Sequence, residues 1–202
     1  MVLDLVRTVA PTVELLALDE AKAHLRLEAS DTDEDDLVTA LIQAATDWLD
    51  GHSGLLGRAL LSQTWKIRYD YAFPAWRIPI PLTPLISISS VQYIDSAGAL
   101  QTLSPATYDV LDGPAAALQP AYGLAWPSPR SQTRAVTITF VAGYGVTAAA
   151  VPAPIVQAAK LLLGHLYAHR EAVVGVDNRD SSAALPIGVA DLIAPYRARS
   201  VA

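Results

Sequence analysis

Residues 16–70 constrain the fold more than any other part of the chain, because hydrophobic period switches there from helical to strand spacing within a few residues. Leu37, Val38, Leu41, Ile42, Ala45, Trp48 and Leu49 recur at i, i+3, i+4 and i+7. That spacing predicts a helix over residues 33–50, closed by Gly51 and Gly54. Ahead of it, Leu18, Ala21 and Leu25, with Ala17, share one face of a shorter helix over residues 18–27. The polar residues 29–36 separate the two, so the pair reads as an αα-hairpin. The first helix has Glu20 where a capping box places its acid, but Ala17 at the cap offers no hydroxyl, so the cap should be weak. Straight after the hairpin, Trp65, Ile67 and Tyr69 alternate with Thr64, Lys66 and Arg68, the signature of a strand with one buried face.

The strand character persists over residues 59–145. Val136, Ile138 and Phe140 alternate with Thr137 and Thr139. Shorter strands are expected at residues 77–80, 89–94 and 108–111, and Asp95-Ser96-Ala97-Gly98 reads as a hairpin turn. Prolines 74, 79, 81, 84, 105, 114, 120, 127 and 129 keep these strands short or at sheet edges. Helical spacing returns over residues 151–172, where Pro152 and Pro154 suit a helix start. Ile155, Val156, Ala158, Ala159, Leu161, Leu162, Leu163, Leu166 and Tyr167 cover most of that helix, which predicts burial on several sides. Residues 173–186 read as a flexible loop. A short last helix is expected over residues 189–199, bent or started at Pro195. Residues 1–16 read as an apolar leader without a clear period. The fold class is therefore α+β: a helical core, made of the N-terminal hairpin and the C-terminal helices, with a β-rich antiparallel insertion between the second and third helices. A single domain spans residues 1–202, with core segments 16–56 and 151–172, insertion 59–145 and tail 173–202.

Composition narrows the function. Apolar residues make up 52% of the chain and charged residues 17%, and mean hydropathy is +0.31. Two readings fit: a compact core rich in alanine, or extra apolar surface buried against other copies. With a net charge of −6 and no cluster of Lys and Arg, the chain is a poor candidate for gripping nucleic acid. An acidic protein still lets DNA slide past, since phosphates are repelled. The absence of cysteine excludes disulfides and thiolate metal sites. No uncharged apolar run of about 18 residues predicts a membrane span, and charges among the first 30 residues break any signal-peptide core. Folding in the cytoplasm is the expectation.

Motifs for chemistry fail one by one. Asp31, Asp33 and Asp35 open like a calcium loop, but Asp36 stands where the turn needs Gly and Ile42 where it needs a bidentate Glu. Carboxylates at a helix N-terminus are the simpler reading. His165 and His169 lie one turn apart, yet Leu166 replaces the Glu that metalloproteases use as base, and Glu171 points elsewhere. A small metal-dependent hydrolase on those histidines is the enzymatic alternative. His24 and His52 read as structural. Residues 51–57 are glycine-rich without the Lys and Ser/Thr of a phosphate loop, and residues 142–145 read as a strand exit. Trp65, Trp76 and Trp126 suit core or interface positions better than base stacking. No catalytic residue, metal ligand or cofactor site is expected, and the chain is expected not to be an enzyme.

The block Leu16–Asp70 resembles the head-to-tail connector, or adaptor, proteins of tailed bacteriophages and of phage-derived gene transfer agents. Residues 57–65 (GRALLSQTW) are similar to that family's passage from hairpin to first strand. Tyr93-Ile94-Asp95 with Gly98 and Tyr108 is similar to its central hairpin. Residues 140–145 (FVAGYG) followed by Val151-Pro152 are similar to its strand-to-helix junction, and residues 185–189 (LPIGV) with 192–197 (LIAPYR) to its C-terminal signature. The resemblance spans residues 16–199 and departs from the family at Ala17 and in the long apolar leader. It implies a virion assembly protein of the particle neck, in a ring of about twelve copies. The implied partners are the portal protein, stopper or tail components and other copies of the chain, with DNA passing through the bore unread and no membrane involved. The candidate interaction residues are Leu192, Ile193, Tyr196, Arg197 and Arg199 of the last helix, with Leu166 and Tyr167. A stopper or tail-terminator protein of the same neck is the nearest alternative.

Overall fold

A computed structural model describes residues 4–169 and 188–198. In chain order the elements are β1 Asp4–Val9, α1 Leu18–Leu25, α2 Asp35–Leu49, β2 Gln63–Tyr69, β3 Ile78–Pro79, β4 Leu85–Ile94, β5 Leu100–Thr102, β6 Tyr108–Leu111, β7 Ala117–Pro120, β8 Val136–Ala142, α3 Ala153–Ala168 and α4 Val189–Ile193. The fold is mixed α+β, as expected. It divides into two compact units, a helical one of residues 13–58 and 147–202 and a β one of residues 1–12 and 59–146.

In the β unit the two period-two segments form neighbouring strands. β2 and β8 pair antiparallel with Trp65 opposite Phe140 and Ile67 opposite Ile138, and both bury every second residue. They are joined in a five-stranded sheet of order β1-β2-β8-β4-β5, beside a three-stranded sheet of order β3-β7-β6. Phe140, Ile138, Ile67 and Val91 of the first sheet share a core with Ile78, Leu118 and Tyr108 of the second. Burial pushes the Tyr69 hydroxyl in that core up to about 12.

Several expectations are corrected. The apolar leader is not irregular throughout: residues 4–9 form edge strand β1 on β2. It escapes a periodicity search because four of its six residues are exposed and its register slips between Arg7 and Val9. β4 is longer than expected, since two register shifts, at Leu85/Ser87 and Ile88/Ser90, break its alternation. α1 stops at Leu25, where Arg26 takes φ 61 and its N–H bonds the helix end. α2 begins at Asp35 and not Asp33, because Asp31 is spent accepting the Asp33 N–H in the turn before it. The expected helix over residues 189–199 is only five residues of α-helix and a 3-10 turn, Ala194–Tyr196; Pro195 has no N–H to extend it. The loop expected at residues 173–186 lies outside the described residues.

The hairpin turn at residues 95–98 forms as expected. Asp95 accepts the N–H groups of Ala97 and Ala99 at 3.0 and 2.9 Å and the Gln101 amide at 2.7 Å, while Gly98 supplies φ 87. Donation from Gln101, then from Ala99, holds the Asp95 carboxyl below its usual value. A lowered folded-state pKa means that stability is present above the unfolded value and is lost as pH falls through the folded one. Acidification should therefore loosen the β4–β5 turn, and Asp95→Asn should remove that acid dependence. NMR titration of the Ala97 and Ala99 amides reads this directly, and identical titrations in the two proteins would refute the assignment.

Candidate functional site

The helical unit is built on α3. Ile155, Ala158, Ala159, Leu162 and Leu163 of this helix are buried, and α1, α2 and α4 all pack against it. Pro152 and Pro154 set its start as expected, and only small or polar positions such as Ala153 and Gln157 face water. Lys160 pairs with Glu20 of α1 at 2.7 Å.

A cation, unexpected from the sequence, fills the acidic turn. Lys22 is 3% exposed. Its ammonium sits 2.7 Å from an Asp35 carboxylate oxygen and donates to the Asp31 carbonyl and, at 3.2 Å, to that of Ala29. The residues that look like the start of a calcium loop thus enclose a lysine. Glu34, ahead of α2, accepts the Tyr167 hydroxyl.

The candidate interaction residues divide by burial. Ile193 is 1% exposed and Val189 fully buried, so the apolar stripe of α4 is taken up by its own unit, against α3. Ile193, expected at an interaction surface, is thus buried within its own chain. Leu192 and Tyr196 are half-buried and Arg197 is exposed. Arg197 donates to the Leu55 carbonyl at 3.2 Å, Ala198 N–H to that of Leu56 at 2.7 Å, and Arg58 to that of Tyr196. These bonds tie the C-terminal residues to the loop after α2. Gly57, at φ +60, lies so close that an added Cβ would stand 3.2 Å from the Ala198 methyl. Leu166 and Tyr167 are half-buried on α3. Arg199 lies outside the described residues.

The remaining motifs serve local packing. The rings of His165 and His169 lie 4.4 Å apart, and His169 Nδ1 is 2.9 Å from the His165 carbonyl. Glu171 lies outside the described residues; among the described ones no three His, Asp or Glu side chains gather as metal ligands. Trp126 stacks on Phe73 at 4.7 Å and donates to the carbonyls of Ala75 and Trp76. Trp65 is in the core, and Trp76 is 58% exposed. No described helix is long and apolar enough to cross a membrane.

Comparison with known proteins bears on this arrangement. Residues 16–89 match the family model described as phage gp6-like head-tail connector protein. A chain in the solved virion of a native gene transfer agent particle is similar at TM-score 0.78 and 26% identity, over 98% of this chain and 97% of that one. A chain in the neck of an empty gene transfer agent particle, computed with C6 symmetry, is similar at TM-score 0.74 and 27% identity, over 100% and 98%. A chain in the neck of a native particle, computed with C12 symmetry, shares the fold at TM-score 0.62 and 24% identity, over 96% and 97%. No curated protein matches. The connector resemblance carried by the residues is thus shown by comparison as well.

Proposed function

We propose that this chain is a head-to-tail adaptor of the neck of a phage or gene transfer agent particle. Copies form a ring of about twelve under the capsid portal. DNA passes through the bore, and stopper or tail components attach to the ring. The observation that carries this is the likeness to gene transfer agent chains over nearly the full length of both partners. In this reading the helical unit is the connector core and the β unit its insertion. The stopper and tail-terminator alternatives call for a β-barrel-like chain, and the three packed helices speak against them. The hydrolase alternative needs a ligand set, whereas His169 Nδ1 lies against the His165 carbonyl and among the described residues no three His, Asp or Glu side chains gather as metal ligands.

On this reading the chain folds in the cytoplasm of its host bacterium and ends in the particle neck. Imaging of portal-bearing capsids incubated with the purified protein should show a new ring at the portal vertex. Particles decorated elsewhere, or not at all, would overturn the proposal. We assign the portal-facing contact to Leu192, Tyr196 and Arg197 of the C-terminal element, with Arg199, and to Leu166 and Tyr167 of α3. Leu192→Asp leaves Val189 and Ile193 buried, so stability should change by no more than about 1 kcal/mol. Capsid attachment should fall at least about tenfold, equivalent to 1.4 kcal/mol. Unchanged attachment would move the contact elsewhere.

A further inference from the structure

Charge is divided unevenly between the two units. The helical unit holds fifteen acidic and eight basic residues, and the β unit five acidic and six basic. The helical unit thus carries a net −7 and the β unit +1, which together account for the −6 of the chain. The acids concentrate before and at the start of α2. Lys22 engages Asp35 and Tyr167 engages Glu34, while Glu28, Asp31, Asp33 and Asp36 are exposed.

The β unit has a face of the opposite character. Strand register puts Thr64, Lys66 and Arg68 of β2 on one side of the five-stranded sheet with Thr137 and Thr139 of β8 and Gln92 of β4. The other side carries the core. All six residues are half-buried. Arg68 and Arg134 share one carboxylate, Asp4, at 3.5 and 3.0 Å. Among the described residues Lys66 makes no ion pair. Counting Asp70, which accepts the Arg134 N–H at 2.7 Å, the face keeps a surplus of one positive charge on a protein that is acidic as a whole. Its few cations fall well short of the roughly 6–10 phosphate contacts of a salt-sensitive DNA binder.

We infer that this sheet face receives the acidic turn, residues 28–36, of a neighbouring copy. The inference rests on the ring reading above and names the surfaces that would meet in it. Each copy offers one acidic turn and one cationic sheet face. Such a contact joins two different patches, so it is heterologous and repeats around a closed ring when the rotation closes. Opposed charge orients the encounter and disfavours like-to-like pairing. Exposed charges are screened beyond about 8 Å at physiological salt, so assembly should weaken as salt rises.

Because the chain has no cysteine, two single-cysteine variants, Thr139→Cys and Asp36→Cys, report only contacts between copies when mixed and oxidised. The rings, free or assembled on particles, should yield disulfide-linked dimers from the mixture and far fewer from either variant alone. Lys66→Glu with Thr137→Glu should raise the concentration needed for assembly at least tenfold in 50 mM salt. Adding Glu28→Lys and Asp33→Lys should restore it. Rings that form normally but give no mixed dimers, or that ignore the charge reversal, overturn this inference alone. If the wild-type chain forms no ring free or on particles, the ring reading fails and takes this contact with it. Loss of assembly without rescue by the second charge pair also overturns the contact.

Discussion

Replacing Lys22 by methionine should cost about 2–4 kcal/mol, although it keeps the side-chain volume and the helix propensity. Removing one partner of a buried ion pair typically costs roughly 3–5 kcal/mol, because the other groups lose their donor and stay out of water. Here three acceptors are stranded at once: the Asp35 carboxylate and the carbonyls of Ala29 and Asp31. The Asp35 side chain is 28% exposed and Ala29 and Asp31 are exposed residues, so water recovers part of the loss, which puts the cost below that of a fully buried pair. For a chain of this size 3 kcal/mol corresponds to a melting temperature lower by roughly 6–12 °C. Faster hydrogen exchange should appear first at residues 29–35, where the turn loses its centre. Urea melts checked against the wild type decide the matter; a difference below about 1 kcal/mol would mean that α1 and α2 hold the turn unaided.

Leu162→Ala should be of similar or larger size. The side chain is fully buried on α3, beside Ala158, Ala159 and Leu163, and α3 is the helix on which α1, α2 and α4 pack. Small neighbours on the same face leave little that can collapse into the gap. Truncation of a buried leucine costs roughly 2–5 kcal/mol, with the higher values where the cavity stays open. Leu161→Ala, one residue away and half-buried, is the control: it should cost clearly less, since its transfer from water is incomplete. Equal effects at the two positions would show that helix propensity, not packing, sets the loss. An unchanged melting curve for Leu162→Ala would mean that α3 is not at the centre of the unit.

What local physics can express was legible in the residues. β2 and β8 announced themselves because one face of each is buried and the other is not, so every second residue had to be apolar. α2 did so because its stripe repeats for four turns. The weak cap at Ala17 followed from a missing hydroxyl, and no side-chain cap bond is made there. The turn at Asp95 followed from a residue able to accept several N–H groups at once. β5 and β7 were missed because neither alternates: β5 is exposed at all three residues and β7 buries three of its four. The same holds for Leu15 and Leu16, fully buried just ahead of α1 in a segment without pattern.

The role of a charge depends on what comes back to meet it, and spacing along the chain does not encode that. Lys22 and the acidic turn are seven to thirteen residues apart, so only the fold of the hairpin made them one site. Asp31, Asp33 and Asp35 read as carboxylates at a helix N-terminus; tertiary structure brought a cation from α1 to the Asp31 carbonyl and the Asp35 carboxylate. Ile193 looked like an apolar residue in search of a partner, and α3 of its own unit buried it. The sequence by itself determined which segments are helix or strand and which face of each is apolar, because those follow from backbone geometry and the exclusion of water. Only the tertiary structure decided which apolar faces and which charges are already satisfied within the chain, because burial and pairing depend on residues far away in sequence.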